Sequence, residues 1–224
     1  ILHFLFHHHS PSTFAKSPAA VSCTASGASC ALPGDILLYT GQSTLESGWY
    51  FFFGIPYAGR LTVNGDVHIV LCDDTETTIG NGIAVNEGNS LTVYAQSVSR
   101  MGALVCVNDS FAAGIGSNYG CTCGSITING GAITAESTIE AAAIGSGRNG
   151  DNTNIVINGG VITARGGYSG VGIGAGAGRC RPLRSTDSIS CGKFFSSVRD
   201  NILCKPNCSP SGVRTPSAPS APPP

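Results

Sequence analysis

The sequence predicts an all-β protein: a single-stranded parallel β-helix, or β-solenoid, of about four coils with a repeat of about 29 residues. Two independent landmarks share one period, the signature of a repeat architecture. Ile126-Thr127-Ile128-Asn129-Gly130-Gly131-Ala132-Ile133-Thr134-Ala135 returns 29 positions later as Ile155-Val156-Ile157-Asn158-Gly159-Gly160-Val161-Ile162-Thr163-Ala164. Gly114-Ile115-Gly116, Ala143-Ile144-Gly145 and Gly172-Ile173-Gly174 recur with the same step of 29. Within each unit, short β-branched runs are bounded by Asn-Gly-Gly and other Gly/Ser/Asn turns, which reads as strand rather than helix. A helix through these runs would hold Gly130-Gly131 in its interior, at about 1 kcal/mol per glycine.

Each unit has three such runs: Ile126–Ile128, Ala132–Ala135 and Ala141–Ile144. Each is too short to bury a face alone, so coils must stack, with neighbouring rungs about 4.8 Å apart. Side chains alternate across a strand. Ile126 and Ile128 therefore share the inner face with Ile155 and Ile157 of the next coil, and Thr127 and Val156 point outward. Asn129 and Asn158 fall at one corner, where Asn and Gly tolerate left-handed backbone and asparagines stack along the axis.

Three regions follow from composition. Residues 1–46 form an irregular N-terminal segment, 47–178 the repeat domain, and 179–224 a basic, cysteine-containing, proline-rich tail. Residues 1–178 carry 5 basic and 11 acidic side chains, whereas 179–224 carry 7 and 2, which marks the boundary near Arg179. The tail, ending in a Pro/Ala/Ser run, reads as largely disordered. The sole methionine is Met101, so the numbered chain reads as processed or as a fragment. Ile1–Phe6 is too short to span a membrane and reads as a fraying terminus or the remnant of a signal h-region. His7-His8-His9 forms no defined metal site by spacing.

Gly48-Trp49-Tyr50-Phe51-Phe52-Phe53-Gly54 reads as an aromatic strand capping the open end of the solenoid, or as a platform for sugar rings. Leu61-Thr62-Val63-Asn64-Gly65-Asp66 matches the Ile-Thr-Ile-Asn-Gly-Gly pattern and Leu91-Thr92-Val93 matches again. Coils are thus expected to start at residues 61, 91, 126 and 155, with an insertion in Ser97–Asp109. Val67–Leu71 becomes the second strand of the first coil, with His68 outward. The pattern ends at Gly178.

Ten cysteines (23, 30, 72, 106, 121, 123, 180, 191, 204 and 208) include no pair of Cys-x-x-Cys knuckles. Buried thiols or disulfides are expected rather than zinc. Asn108-Asp109-Ser110 and Asn207-Cys208-Ser209 fit the N-glycosylation pattern. Gly145–Asn152 resembles a calcium-binding nonapeptide but offers one Asp, too few hard ligands for tight binding. No cofactor is expected.

Catalysis needs converging acid–base groups. Asp73, Asp74 and Glu76 form the one carboxylate cluster, and adjacent Asp73 and Asp74 point to opposite faces if extended. From Ala112 to Gly178 the charged residues are Glu136, Glu140, Arg148, Asp151 and Arg165, which is no array of acids and bases lining a groove. A net charge of −1 gives no pull toward nucleic acid. The expectation is no enzyme and no membrane span.

Gly48-Trp49-Tyr50, Leu61–His68, Gly88–Tyr94, Ala113–Gly116 and Gly124–Gly131 together resemble the glycine-rich repeat region of large secreted or wall-attached proteins of gut Gram-positive bacteria. The resemblance covers about residues 47–178. It implies an adhesin-like or carbohydrate-binding β-helix, secreted or at the cell surface, with glycans or a host or neighbouring cell as partner. The family supplies no catalytic residues to carry over. This chain departs from it in its extra cysteines, its loss of repeat at Arg179 and its lack of a wall-anchoring signal.

The function expected is therefore a non-catalytic extracellular module for surface presentation, adhesion or carbohydrate binding. Tyr94, Tyr119, Tyr168, Thr127 and Thr163 are the candidate ligand-binding residues, because exposed Tyr and Thr stack on and hydrogen-bond to glycans. The alternative is a β-helix polysaccharide lyase or hydrolase, for which Asp73, Asp74 and His68 are the feasible acid–base groups. Ice binding through threonine columns is disfavoured, because Val156 replaces Thr127 one coil on.

Overall fold

The computed structural model describes residues 21–22, 29–30, 36–151, 154–178 and 188–191. His7–His9, Cys23, Cys180, Cys204, Cys208 and the Asn207 pattern lie outside them. The strands, in order, are β1 (Val21–Ser22), β2 (Ser29–Cys30), β3 (Ile36–Leu38), β4 (Thr44–Phe52), β5 (Leu61–Leu71), β6 (Glu76–Ile79), β7 (Ile83–Ala84) and β8 (Ser90–Ala95). They continue with β9 (Ala103–Asn108), β10 (Ile115–Gly116), β11 (Ser125–Ile128), β12 (Ala132–Ser137) and β13 (Ile144–Gly145). The last are β14 (Asn154–Ile157), β15 (Val161–Arg165), β16 (Ile173–Gly174) and β17 (Ser188–Cys191). The described residues contain no helix. β1 and β2 form a small antiparallel pair, with β1 lying beside β8.

All other pairing between strands is parallel and builds a three-faced solenoid. The first face stacks β3, β4, the end of β5, β8, β11, β14 and β17. The second stacks β6, β9, β12 and β15. The third stacks the starts of β4 and β5, then β7, β10, β13 and β16. The 29-residue step is the register itself, with Ile126 opposite Ile155, Ile133 opposite Ile162 and Ile144 opposite Ile173.

Alternation within strands sorts the core. Val67, Leu91, Ile126 and Ile155 form one inner column; Ile69, Val93, Ile128 and Ile157 form the next. Leu61, Ile83, Ile115, Ile144 and Ile173 line the third face. All are at most 2 % exposed, and burying each such side chain stabilises by about 1.5–3 kcal/mol relative to exposure. On the third face the backbones approach so closely that a Cβ at Gly116 would sit 1.8 Å from the Gly145 carbonyl oxygen. Ala141, Ala142 and Ala143 are buried but lie in the turn, so only Ile144–Gly145 of that run is strand.

A half-buried guanidinium braces two coils. Arg60 Nε donates to Asn118 Oδ1 at 2.8 Å, and its terminal nitrogens donate to the carbonyls of Asn81 (2.8 Å), Ala113 (2.9 Å) and Gly116 (3.0 Å). Desolvation pulls its pKa down to about 10, still charged at neutral pH.

Several sequence expectations are corrected. The first coil is out of phase: Val67, not Leu61, stands opposite Leu91. β5 is one strand that rounds a corner, its start paired with β7 and its end with β8. Gly65, at φ 89°, makes the bend. Asn-Gly there marks the corner between third and first faces, whereas Asn129-Gly130-Gly131 marks the corner between first and second. The same turn chemistry serves two corners, so local pattern does not distinguish them. The insertion is confined to the β8–β9 connection, 96–102, because Ala103–Asn108 is a second-face rung paired with β12. The aromatic strand is no cap: β4 is a rung with β3 paired outside it. The ladder also crosses both expected domain boundaries, since β3 precedes residue 47 and β17, in the expected tail, stacks on β14 with Ile189 opposite Ile155.

Candidate functional site

The outer side of the first face is polar over most of its length. One column runs Trp49, His68, Thr92, Thr127, Val156. The next runs Phe51, Val70, Tyr94, followed by Asn129 and Asn158, with Asn158 Nδ2 donating to Asn129 Oδ1 at 2.7 Å. The first three rungs break this polarity. Trp49, Phe51 and Tyr94 pack on Val70 as an apolar cluster separate from the core, on the solvent side of the sheet.

The rings stack. Trp49 and His68 have centroids 4.4 Å apart with planes 10° from parallel, and Trp49 and Tyr94 are 5.1 Å apart at 27°. In-register rungs bring rings within stacking distance, and aromatic pairs of this kind are worth about 0.5–1.5 kcal/mol beyond area burial. His68 is outward as alternation requires, between buried Val67 and Ile69. Its Nε2 lies 3.3 Å from Asp66 Oδ2 and its Nδ1 lies 3.5 Å from the Tyr94 hydroxyl. A proton on Nε2 satisfies both contacts, with the carboxylate accepting and the phenol donating. The other Asp66 oxygen accepts from Ser90 Oγ. Burial raises the Tyr94 phenol above its ordinary range, Asn129 lowers it through a hydrogen bond and Asp66 raises it through charge. Beside Ser90 lies a depression lined by Gly88, Asn89, Cys123, Gly124 and Ser125.

In this chain of contacts the carboxylate, not the imidazole, holds the Ser90 hydroxyl, which differs from a nucleophile–histidine–carboxylate relay. Each ring turns one face to its neighbour in the stack, and the half-exposed remainder of the cluster is edged by donors and acceptors of Asp66, Ser90, Thr92, Asn129 and His68.

The five ligand-binding candidates do not converge. Tyr94 and Thr127 share the first face. Thr163 is on the second face, opposite Thr134. Tyr119 follows β10 and Tyr168, 94 % exposed, lies in the turn after β15. Nor do Asp73, Asp74 and His68 meet. His68 is three strand steps, about 10 Å, from Leu71, and both aspartates lie beyond Leu71. Asp74 is left-handed at φ 55°, so the pair is not extended; both carboxylates face Arg100, Asp74 at 2.9 Å and Asp73 at 3.8 Å. Asp73 Oδ1 also accepts from the Ser97 amide at 3.0 Å, which closes the inserted loop.

Sequence reading missed Trp49, Asp66 and Ser90 as partners of His68 and Tyr94. Period two puts Asp66 on the His68 face, but the phase error at Leu61 hid that Trp49, His68 and Thr92 form a column. Asn108 is 2 % exposed; its Nδ2 donates to Asn81 O at 2.7 Å and its Oδ1 accepts from Ser110, so the folded protein withholds this amide from glycosylation. Cys72, Cys106 and Cys121 are free thiols. Among the described residues no cluster of three or more metal-ligating side chains occurs, and no helix is long and apolar enough to cross a membrane.

A family model described as a beta helix repeat matches residues 126–148 and 155–177, the coils built on β11 and β14. No curated protein and no solved structure matches the chain.

Proposed function

We propose that this beta-helix repeat region is a non-catalytic extracellular module that binds carbohydrate on the outer side of its first face, serving adhesion or surface presentation. The observation that carries the reading is the stack of Trp49, His68 and Tyr94 on the solvent side of a sheet whose outer face also carries Asp66, Ser90, Thr92, Thr127 and Asn129. Pyranose rings have an apolar face and a rim of hydroxyls. Flat aromatic faces edged by donors and acceptors complement both.

The test is a glycan array followed by titration of the hits. Tryptophan emission serves as the signal, since Trp49 is the one tryptophan. Trp49→Ala and Tyr94→Ala are expected to weaken binding at least tenfold. Failure of the wild type to bind any glycan, or undiminished binding by Trp49→Ala in a pull-down, would overturn the proposal. The competing reading, a polysaccharide lyase or hydrolase, rests on Asp73, Asp74 and His68, which belong to two separate networks. Polysaccharide turnover abolished by Asp73→Asn with Asp74→Asn would favour it.

A further inference from the structure

We propose a second carbohydrate site, at the turns flanking β10 and β13, built from Phe111, Tyr119, Glu140, Arg148 and Asn149. It rests on the preceding reading for the class of ligand, but it shares no residue with the first-face stack and lies at a different side of the coil. Phe111 and Tyr119 flank β10; Glu140 and Arg148 flank β13, one rung on. The Arg148 amide donates to the Phe111 carbonyl at 2.8 Å and ties the two turns together.

Tyr119 is 55 % exposed and Phe111 39 %, yet neither ring is loose. They meet edge to face, centroids 5.9 Å apart at 62°. Asn149 Nδ2 donates to the Tyr119 hydroxyl at 3.1 Å. The Arg148 guanidinium lies 5.1 Å from the Phe111 centroid and pairs with Glu140 at 2.9 Å. An exposed aromatic that is already oriented loses little freedom when a ligand lands on it.

The backbone points to the same place. Three non-glycine residues among those described have left-handed φ, and two of them, Glu140 at 37° and Asn149 at 62°, belong to this cluster. Glu lacks the local tolerance of Asn for this region, and strain of this kind collects at binding sites. The ion pair makes the cluster neutral overall. Its chemistry therefore fits a neutral sugar, with ring carbons on Tyr119 and hydroxyls toward the Arg148–Glu140 pair, rather than a uronate.

The experiment is calorimetric titration of the full chain with cellohexaose, xylohexaose and mannohexaose, with hexagalacturonate as the charged comparison. Trp49→Ala removes the first site. In that background at least one neutral hexasaccharide is expected to bind, weakened at least tenfold by Tyr119→Ala and, independently, by Phe111→Ala, each checked for an unchanged melting temperature. Wild-type binding that vanishes entirely in Trp49→Ala would overturn the second site and leave the first standing. Preference for hexagalacturonate would overturn the ligand class. A wild type that binds none of the neutral hexasaccharides would overturn this site, whereas the first-face reading is decided by the array.

Discussion

The indole of Trp49 lies flat against the imidazole of His68, 4.4 Å between centroids, although 19 residues separate them. One parallel rung accounts for this: Gly48 pairs with Val67 after a bulge, and the two side chains emerge side by side on the solvent face. Ligand binding there must pass through the only tryptophan in the chain. A blue shift or intensity change on glycan addition is expected in the wild type and should be at least tenfold less sensitive to ligand in Tyr94→Ala, as read by fluorescence titration.

Third-face packing makes a second prediction. Gly116 and Gly120 both have left-handed φ, 143° and 70°, but a Cβ at Gly116 meets the Gly145 backbone, whereas at Gly120 it meets nothing within 4 Å. Gly120→Ala should cost about 1–2 kcal/mol, the backbone term alone. Gly116→Ala should cost more than about 4 kcal/mol, in the range reserved for forced overlap in a packed interior. Urea unfolding of the two variants checks the ordering.

Tyr39 is fully buried, stacked on Phe52 with centroids 4.2 Å apart, and its hydroxyl has no hydrogen-bond partner among the described residues. Desolvation pushes its phenol up to about 12. Removing an unsatisfied buried hydroxyl lifts a penalty of about 1–3 kcal/mol, partly offset by the small void left. Tyr39→Phe should therefore raise the melting temperature or leave it unchanged; a clear fall would mean the hydroxyl is bonded.

Buried thiols give the alkaline behaviour. Desolvation pushes Cys123 up to about 12 from an ordinary 9.0 and raises Cys106 further. Above pH 9 these thiols ionise in the unfolded chain and stay protonated in the folded one. The unfolded state then binds fewer protons, and stability falls as pH rises. The loss approaches about 1.4 kcal/mol per pH unit for each thiol. Tyr39 adds to it above pH 10, and Arg60, whose pKa is lowered, opposes it there. Urea midpoints should drop from pH 8 to 10, and less so in Cys106→Ala. That variant suits its column, where Cys106 stands opposite Ala135.

Arg60 supports a further prediction. Its carbonyl partners at Asn81, Ala113 and Gly116 belong to two coils. Arg60→Met keeps much of the stem but leaves those acceptors and Asn118 without their donor. A loss of about 2–4 kcal/mol is expected, with the turns around residues 81 and 113–118 losing hydrogen-exchange protection first.

Much of this architecture is readable before folding. The 29-residue step, the inward Ile126, Ile128, Ile155 and Ile157, the outward His68 and the Asn129–Asn158 corner all follow from local pattern, because a strand alternates its sides and stacked coils repeat their neighbours. Phase and convergence do not. Whether an Asn-Gly bend turns first face into second or third into first depends on which rung lies beside it. Local pattern therefore puts Leu61 one face away from where Ile83 holds it. Likewise Trp49, His68, Asp66, Ser90 and Tyr94 are spread over residues 49–94 and meet only once β4, β5 and β8 lie in register. Periodicity determined that the chain winds and which side chains are buried; hydrogen bonding between rungs decided which exposed ones became neighbours, since in a solenoid neighbourhood on the surface is set by register across coils and not by distance along the chain.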